Sequence, residues 1–262
     1  MNIGYVQFDP KFGKKKENFT QVDNLLKDKK ADLIVLPELF ATGYTFTSKE
    51  EARSLAETAN GITFQFLKEL SFKTEAIIVG GFVEQKAQKI YNSSLIVFQD
   101  KFHDTYQKIH LFNKEKIWFS PGEEGFKVFE VNGIHIGIMI CFDWIFPESA
   151  RSLALQGADI IAHPSNLVLP YCQDAMKIRC LENHIFAITA NRFGQEKRGS
   201  DDFAFTGQSQ ITNYDGIVLS KAPNESSFTE IIDIDPSLAR DKTLNNLNNL
   251  FNDRKPKFYV IK

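Results

Sequence analysis

GIHIGIMICFDWIFPESARSLALQGADIIAHPSN, residues 133–166, is the stretch whose reading decides the fold. Ile134 to Ile140 is an unbroken apolar run rich in β-branched side chains, the pattern of a strand buried on both faces. Cys141 stands where that run stops. Pro147 opens a helical pattern with Glu148 in its first turn and Leu153 and Leu155 among its apolar positions. Gly157 closes the helix, and Asp159 to Ala162 begins a second buried strand. The result is a β–turn–α–β unit with a thiol at its strand-to-helix turn. In such units ligands bind outside the carboxyl ends of the strands. A helix start nearby favours the thiolate, although a lone cysteine at a strand end is more often a small buried apolar residue.

Working outward, the chain opens β–α–β: a strand over Asn2–Phe8, helical spacing of Phe19, Val22, Leu25 and Leu26, and a second buried strand over Ala31–Leu36. That order predicts parallel strands and a right-handed crossover. Glu38 follows at once, so it occupies the same kind of position as Cys141, and the two strands are expected to be neighbours. Two helical patterns surround 49–59 and 63–74. Ala76–Val83 reads as a strand whose Gly80-Gly81 pair invites close approach by another backbone or a ligand. Tyr91–Phe98 and Phe102–Gln107 read as a strand pair.

Residues 108–125, KIHLFNKEKIWFSPGEEG, form a long loop too apolar for disorder. A strand over Phe126–Val131 and an Asn132-Gly133 hairpin turn lead back to the opening stretch. Beyond it come a helix near Ala175–Asn183, a strand over Phe186–Asn191, and a polar loop over 192–207. A hairpin turns at Asp215-Gly216, Glu230–Ile234 is a last strand, and a short helix starts near Pro236. The second half echoes the first. Without linker or repeat, residues 1–262 read as a single domain. Its tail from about Thr243, studded with Leu244, Leu247, Leu250, Phe251, Phe258 and Tyr259, is expected to dock on a partner subunit.

The 262 residues are 43% hydrophobic and 24% charged, with net charge −2. Such a chain builds a proper core and carries no electrostatic footprint for nucleic acid. Three cysteines argue against a disulfide framework and for a reducing, cytoplasmic setting. No apolar run reaches the length of a membrane span.

Lys108, at the close of a strand, joins Glu38 and Cys141 as a third reactive group. The three are the parts needed to hydrolyse a carbon–nitrogen bond without a metal or cofactor. A thiolate attacks carbon, a carboxylate moves protons, and a fixed ammonium stabilises the oxyanion. The Phe142 N–H is a candidate second donor. Tyr44, Trp144, Phe142 and Trp118 are candidates to line a pocket, and Asn166 to donate to substrate. Asp143 and Glu148 read as helix caps.

Leu36-Pro37-Glu38-Leu39-Phe40, then Tyr106-Gln107-Lys108-Ile109-His110-Leu111-Phe112, then Met139-Ile140-Cys141-Phe142-Asp143 with Phe146-Pro147-Glu148, resemble the nitrilase, or carbon–nitrogen hydrolase, superfamily. The order Glu, Lys, Cys matches as well. The resemblance implies a four-layer αββα sandwich, a Glu38–Lys108–Cys141 triad, Glu115 as a further acidic residue that positions substrate and reacting groups, and a homodimer. It implies small nitrile or amide substrates hydrolysed to acid and ammonia through a thioester or thioimidate. Many amidase branches carry Arg where this chain has Ile145, and CFDWIFPESAR looks more like a branch acting on short aliphatic nitriles.

Two rival readings make different demands. A Cys–His hydrolase would pair Cys141 with His110, His135, His163 or His184. A zinc module would use His163, Cys172, Cys180 and His184, whose spacing forms no C-x-x-C pair.

Overall fold

In the first strand, β1 (Asn2–Gln7), Ile3 and Tyr5 face one way and Val6 the other, and all three are fully buried. A strand with no wet face must lie between two layers. The same holds for β2 (Leu33–Val35) and β3 (Ile77–Lys86), which run parallel to β1. Val6, Ile34 and Ile78 pack against helices α1 (Lys15–Leu25) and α3 (Ile62–Thr74), while Ile3, Tyr5, Leu33, Val35, Ile77 and Val79 turn inward. Between these helices lies α2 (Lys49–Leu55). Strands β4 (Lys89–Phe98) and β5 (Phe102–Gln107) extend the sheet antiparallel. The computed structural model describes residues 1–260.

The second half repeats the plan. After the short helix α4 (Glu115–Trp118) come β6 (Val128–Val131), β7 (Ile134–Ile138), α5 (Pro147–Leu155), β8 (Ile160–Ser165), α6 (Cys172–Asn183) and β9 (Phe186–Asn191). Strands β7, β8 and β9 are parallel, with β6 antiparallel at one edge. An exposed hairpin follows, β10 (Phe193–Arg198) with β11 (Asp201–Thr206). Then β12 (Gln210–Thr212) and β13 (Val218–Lys221) complete the second sheet, and β14 (Phe228–Asp233) crosses back to the free edge of the first beside β1. The tail adds a two-stranded ribbon, β15 (Thr243–Asn245) and β16 (Asn248–Asn249).

Inward residues of both sheets, such as Val35, Val79, Ile136, Ile138, Ile160 and Ile188, form one continuous core, with α5 and α6 on the outer side of the second sheet. This is the αββα sandwich. Burial of each such Val, Leu or Ile contributes about 1.5–3 kcal/mol.

The expected Asn132-Gly133 turn is present, with φ of +54° and +74° between the paired Val131 and Ile134. Two expectations change. Residues 192–207 are the β10–β11 hairpin rather than a loop; Glu196, Arg198 and Asp201 place charge on the face that packs against the domain, which hides the alternation. Glu38 and Cys141 follow strands of different sheets. They meet because the sheets pack face to face, and strand adjacency plays no part.

Gly81 shows how closely the layers are fitted. A Cβ there would lie 2.3 Å from the Leu39 nitrogen and 2.7 Å from the Glu38 Cα. The approach expected at Gly80-Gly81 is therefore made by the backbone that carries Glu38. Gly81→Ala should cost about 1–3 kcal/mol of stability through overpacking and lower turnover by displacing Glu38. Thermal unfolding and a rate assay test this, and a variant matching the wild type in both would refute it.

Candidate active site

Four candidate residues follow the carboxyl ends of strands. Glu38 lies three residues past β2, Cys141 three past β7, Lys108 directly after β5 and Asn166 directly after β8. Glu38 and Lys108 are both 0% exposed. Charges this deep persist only when paired. Lys108 Nζ donates to Glu38 Oε1 at 2.6 Å and to Glu115, 2.9 Å from Oε1 and 2.8 Å from Oε2. Asn92 Nδ2 also donates to Glu38 Oε1, at 2.7 Å. Glu38 Oε2 is buried with no partner.

Glu115 sits in the first turn of α4, and its Oε2 accepts the Phe112 N–H at 3.1 Å. Tyr44 Oη donates to its Oε1 at 2.7 Å. Tyr44, expected at the substrate, is thus engaged with Glu115 and does not line the cavity beside Cys141.

Cys141 opens a tight turn, Cys141–Ile145, with φ of +40°. Non-glycine residues rarely hold this conformation, which stores strain where the chain must expose a reacting atom. Asp143 anchors the turn: Oδ2 accepts from Ile140 N and Tyr106 Oη, both at 2.9 Å, and Oδ1 from His110 N and Nδ1. Asp143 therefore caps this turn, and Glu148 alone occupies the first turn of α5.

Burial and the Glu38 charge push the Cys141 thiol well up, against the pull of Lys108 and the Asn166 N–H. The helix start that favours a thiolate acts weakly here: α5 begins six residues later, and burial outweighs it. Burial raises Glu38 to about 7, with Lys108 pulling down and Glu115 pushing up. Burial alone would lower Lys108, but the Glu115 and Glu38 carboxylates outweigh it and hold the ammonium charged.

Cys141 faces a cavity of ≈ 10 Å³ lined by Phe112, Phe142, Trp144, Asn166, Leu167, Val168 and Leu169, about the room of one water. Ile145 is not in this lining; it is 39% exposed. One hydrogen of the Asn166 amide goes to the Glu38 carbonyl at 2.8 Å, which fixes the side chain at the edge of the cavity, and its Oδ1 is buried with no protein partner. Trp118 closes α4 at the neighbouring cluster with Tyr44 and Phe203. Asn92, Leu167 and Val168 went unnoticed in the sequence; a polar Asn92 inside the apolar run of β4 was the available signal.

No histidine is hydrogen-bonded to the Cys141 sulfur among the described residues. His163 Nε2 lies 2.9 Å from the Cys141 carbonyl oxygen, and burial lowers its pKa to about 4, so its ring is neutral. His110 binds Asp143 and stacks on Phe146, His135 binds Asp159, and His184 binds the Asp241 carbonyl. Among the described residues no three His, Cys, Asp or Glu side chains are grouped to hold a metal.

A family model described as carbon–nitrogen hydrolase matches residues 2–242. A nitrilase of Pyrococcus abyssi is 42% identical over 99% of this chain and 99% of its own. An (R)-stereoselective amidase of a Pseudomonas species is 31% identical over 78% of this chain and 73% of its own. An amidase crystal structure from Nesterenkonia superposes with a TM-score of 0.80 at 21% identity, covering 98% of this chain and 94% of that one.

Proposed function

This chain belongs to the carbon–nitrogen hydrolase family, the nitrilase superfamily, and is a carbon–nitrogen hydrolase; from that premise we propose that Cys141 is its nucleophile, Glu38 its general base and acid, Lys108 its oxyanion donor and Glu115 the residue that positions Lys108. The observation that carries this reading is the divided Glu38 carboxylate. Oε1 is held by Lys108 and Asn92, while Oε2 is buried with no protein partner, available to a thiol proton.

The substrate is a small, uncharged nitrile or amide. The lining of the cavity beside Cys141 supports this, being aromatic and aliphatic with no charged side chain. So do the names of the relatives, a nitrilase and amidases. For an amide, Glu38 takes the Cys141 proton as sulfur bonds to the carbonyl carbon. The oxyanion is held by the third Lys108 hydrogen and the Phe142 N–H. Glu38 returns its proton to nitrogen, the C–N bond breaks, and ammonia leaves a thioester. Water, deprotonated by Glu38, then attacks; the C–S bond breaks, the acid departs and the thiol is restored. A nitrile passes through a thioimidate and consumes a second water.

Residues 1–262 are read as one domain in a reducing cytoplasm. Free, buried Cys141, Cys172 and Cys180 support that setting, and no helix among the described residues is long and apolar enough to cross a membrane. A homodimer with the tail as contact fits the exposure of Leu247 (89%) and Val260 (86%).

An ammonia-release screen over short nitriles, short amides and carbamoyl amines tests the reading, followed by a pH profile on the best substrate. The base must be ionised, so kcat/KM should be level above pH of about 7 and fall about tenfold per unit below it. No ammonia from any of them, or a profile flat from pH 5 to 8, would sink the assignment.

A further inference from the structure

Glu196, on the hairpin strand β10, takes no part in the reaction above, yet it is 7% exposed and fully committed. Its Oε1 accepts the backbone N–H groups of Tyr44 at 3.1 Å and Thr45 at 2.5 Å. Its Oε2 accepts Arg192 Nη1 at 3.1 Å. Arg192 is 1% exposed; its Nη2 donates to Asp9 Oδ1 at 2.6 Å, and its guanidinium lies 4.0 Å from the centre of the Phe205 ring. Phe205 and Phe203 stand edge-on to the Tyr44 ring at 5.9 and 5.8 Å. Gly43, at φ +79°, admits the carboxylate, since a Cβ there would lie 2.8 Å from Glu196 Oε2.

Tyr44 is thus held at its backbone by Glu196 and at its ring by the hairpin, and its hydroxyl is delivered to Glu115. We propose that Glu196 is a positioning residue for the hydrolysis, acting through Tyr44 on Glu115 and so on the Lys108 ammonium. The proposal rests on the roles given to Lys108 and Glu115 above. Every link is buried, so none can be replaced by water at low cost. If the 43–45 backbone slips, Tyr44 Oη leaves Glu115 Oε1. That oxygen then draws Lys108 toward itself and away from the place where the oxyanion forms. A misplacement of about 1 Å is enough to lower a rate by orders of magnitude. The cation behind Glu196 explains why a carboxylate stands here: an amide would keep an acceptor but leave the buried Arg192 with partly exposed Asp9 as its charged partner.

The test is a double-mutant cycle of Glu196→Gln and Tyr44→Phe in the full-length enzyme, on the best substrate of the screen. Each single variant should lower kcat about tenfold, with KM within about twofold because neither residue lines the cavity. In the Tyr44→Phe background, Glu196→Gln should lower kcat less than about twofold further, since the link it supports is already cut. Multiplicative losses of about a hundredfold, or a Glu196→Gln variant as fast as the wild type, overturn the proposal. Glu196→Asp keeps the charge for Arg192 and withdraws the acceptor from the backbone; it enters the same cycle if the glutamine variant does not fold. A wild type inactive on every compound removes the underlying reaction. An active wild type with a multiplicative cycle removes only the role of Glu196.

Discussion

Replacing Cys141 with alanine leaves a folded protein that releases no measurable ammonia from any compound the wild type hydrolyses. The fold survives because only one sulfur atom is lost, from a position already beside a cavity, and because the turn is anchored by Asp143 rather than by the thiol. The rate does not survive. Removing a nucleophile from a site whose other groups act through it typically lowers kcat by about 10⁴-fold or more. Glu38, Lys108 and Glu115 remain in place in this variant, so any residual turnover measures what charge alone does for direct attack by water. Mass spectrometry supplies the second reading. Wild type quenched during turnover carries one acyl group, and the variant carries none. Normal turnover by Cys141→Ala would end the covalent mechanism, whatever the fate of Glu38.

Lys108→Met is the harsher substitution, because it damages structure and chemistry together. Glu38 and Glu115 are both buried, and Lys108 is the cation bonded to each. Methionine fills the volume and leaves two carboxylates facing one another without it. Breaking a buried ion pair from one side costs about 3–5 kcal/mol, and loss of the oxyanion donor should cost about 10²–10³ in kcat. The stability loss carries a pH signature. Glu38 already titrates near 7 in the folded protein, above its ordinary 4.5, and without the ammonium its pKa rises further. A carboxyl raised in the folded state adds stability below its unfolded pKa and forfeits it as pH rises through the folded value. The gap in melting temperature between variant and wild type should therefore be smaller at pH 5 than at pH 8. An equal gap at both would mean that the cost is one of packing rather than charge.

The groups proposed to do chemistry stand out by position. Glu38 and Cys141 each follow an apolar strand pattern, where a charged or reactive side chain is conspicuous, Lys108 closes the mixed run Phe102–Gln107, and the short motifs around all three resemble one superfamily. Two β–α–β openings with strands apolar on both faces point to mixed sheets, whereas the four-layer αββα plan is what the resemblance implies. What could not be read was anything that depends on how the sheets face each other. Strand order in the sequence put Glu38 and Cys141 on neighbouring strands, whereas packing puts them on opposite sheets. Tyr44 looked like a pocket aromatic, but its partner, Glu115, lies 71 residues away. The bond from Asn166 to the Glu38 carbonyl, 128 residues away, depends on that packing as well. The β10–β11 hairpin is masked because charged Glu196, Arg198 and Asp201 occupy its inner face; Phe203-x-Phe205 beside Gly199-Ser200 is the trace it leaves. The raised Cys141 thiol could not be read either, because helix ends are visible in sequence and desolvation is not.

Because the acid comes from one layer and the sulfur from the other, the enzyme has no catalytic half. Neither β–α–β unit holds a working fragment of the machinery, and each contributes atoms that are inert until the two slabs seat against one another. Hydrolysis is in that sense a gauge of their seating: a slide of one slab by a fraction of a side chain would silence the protein while leaving its helices and strands intact.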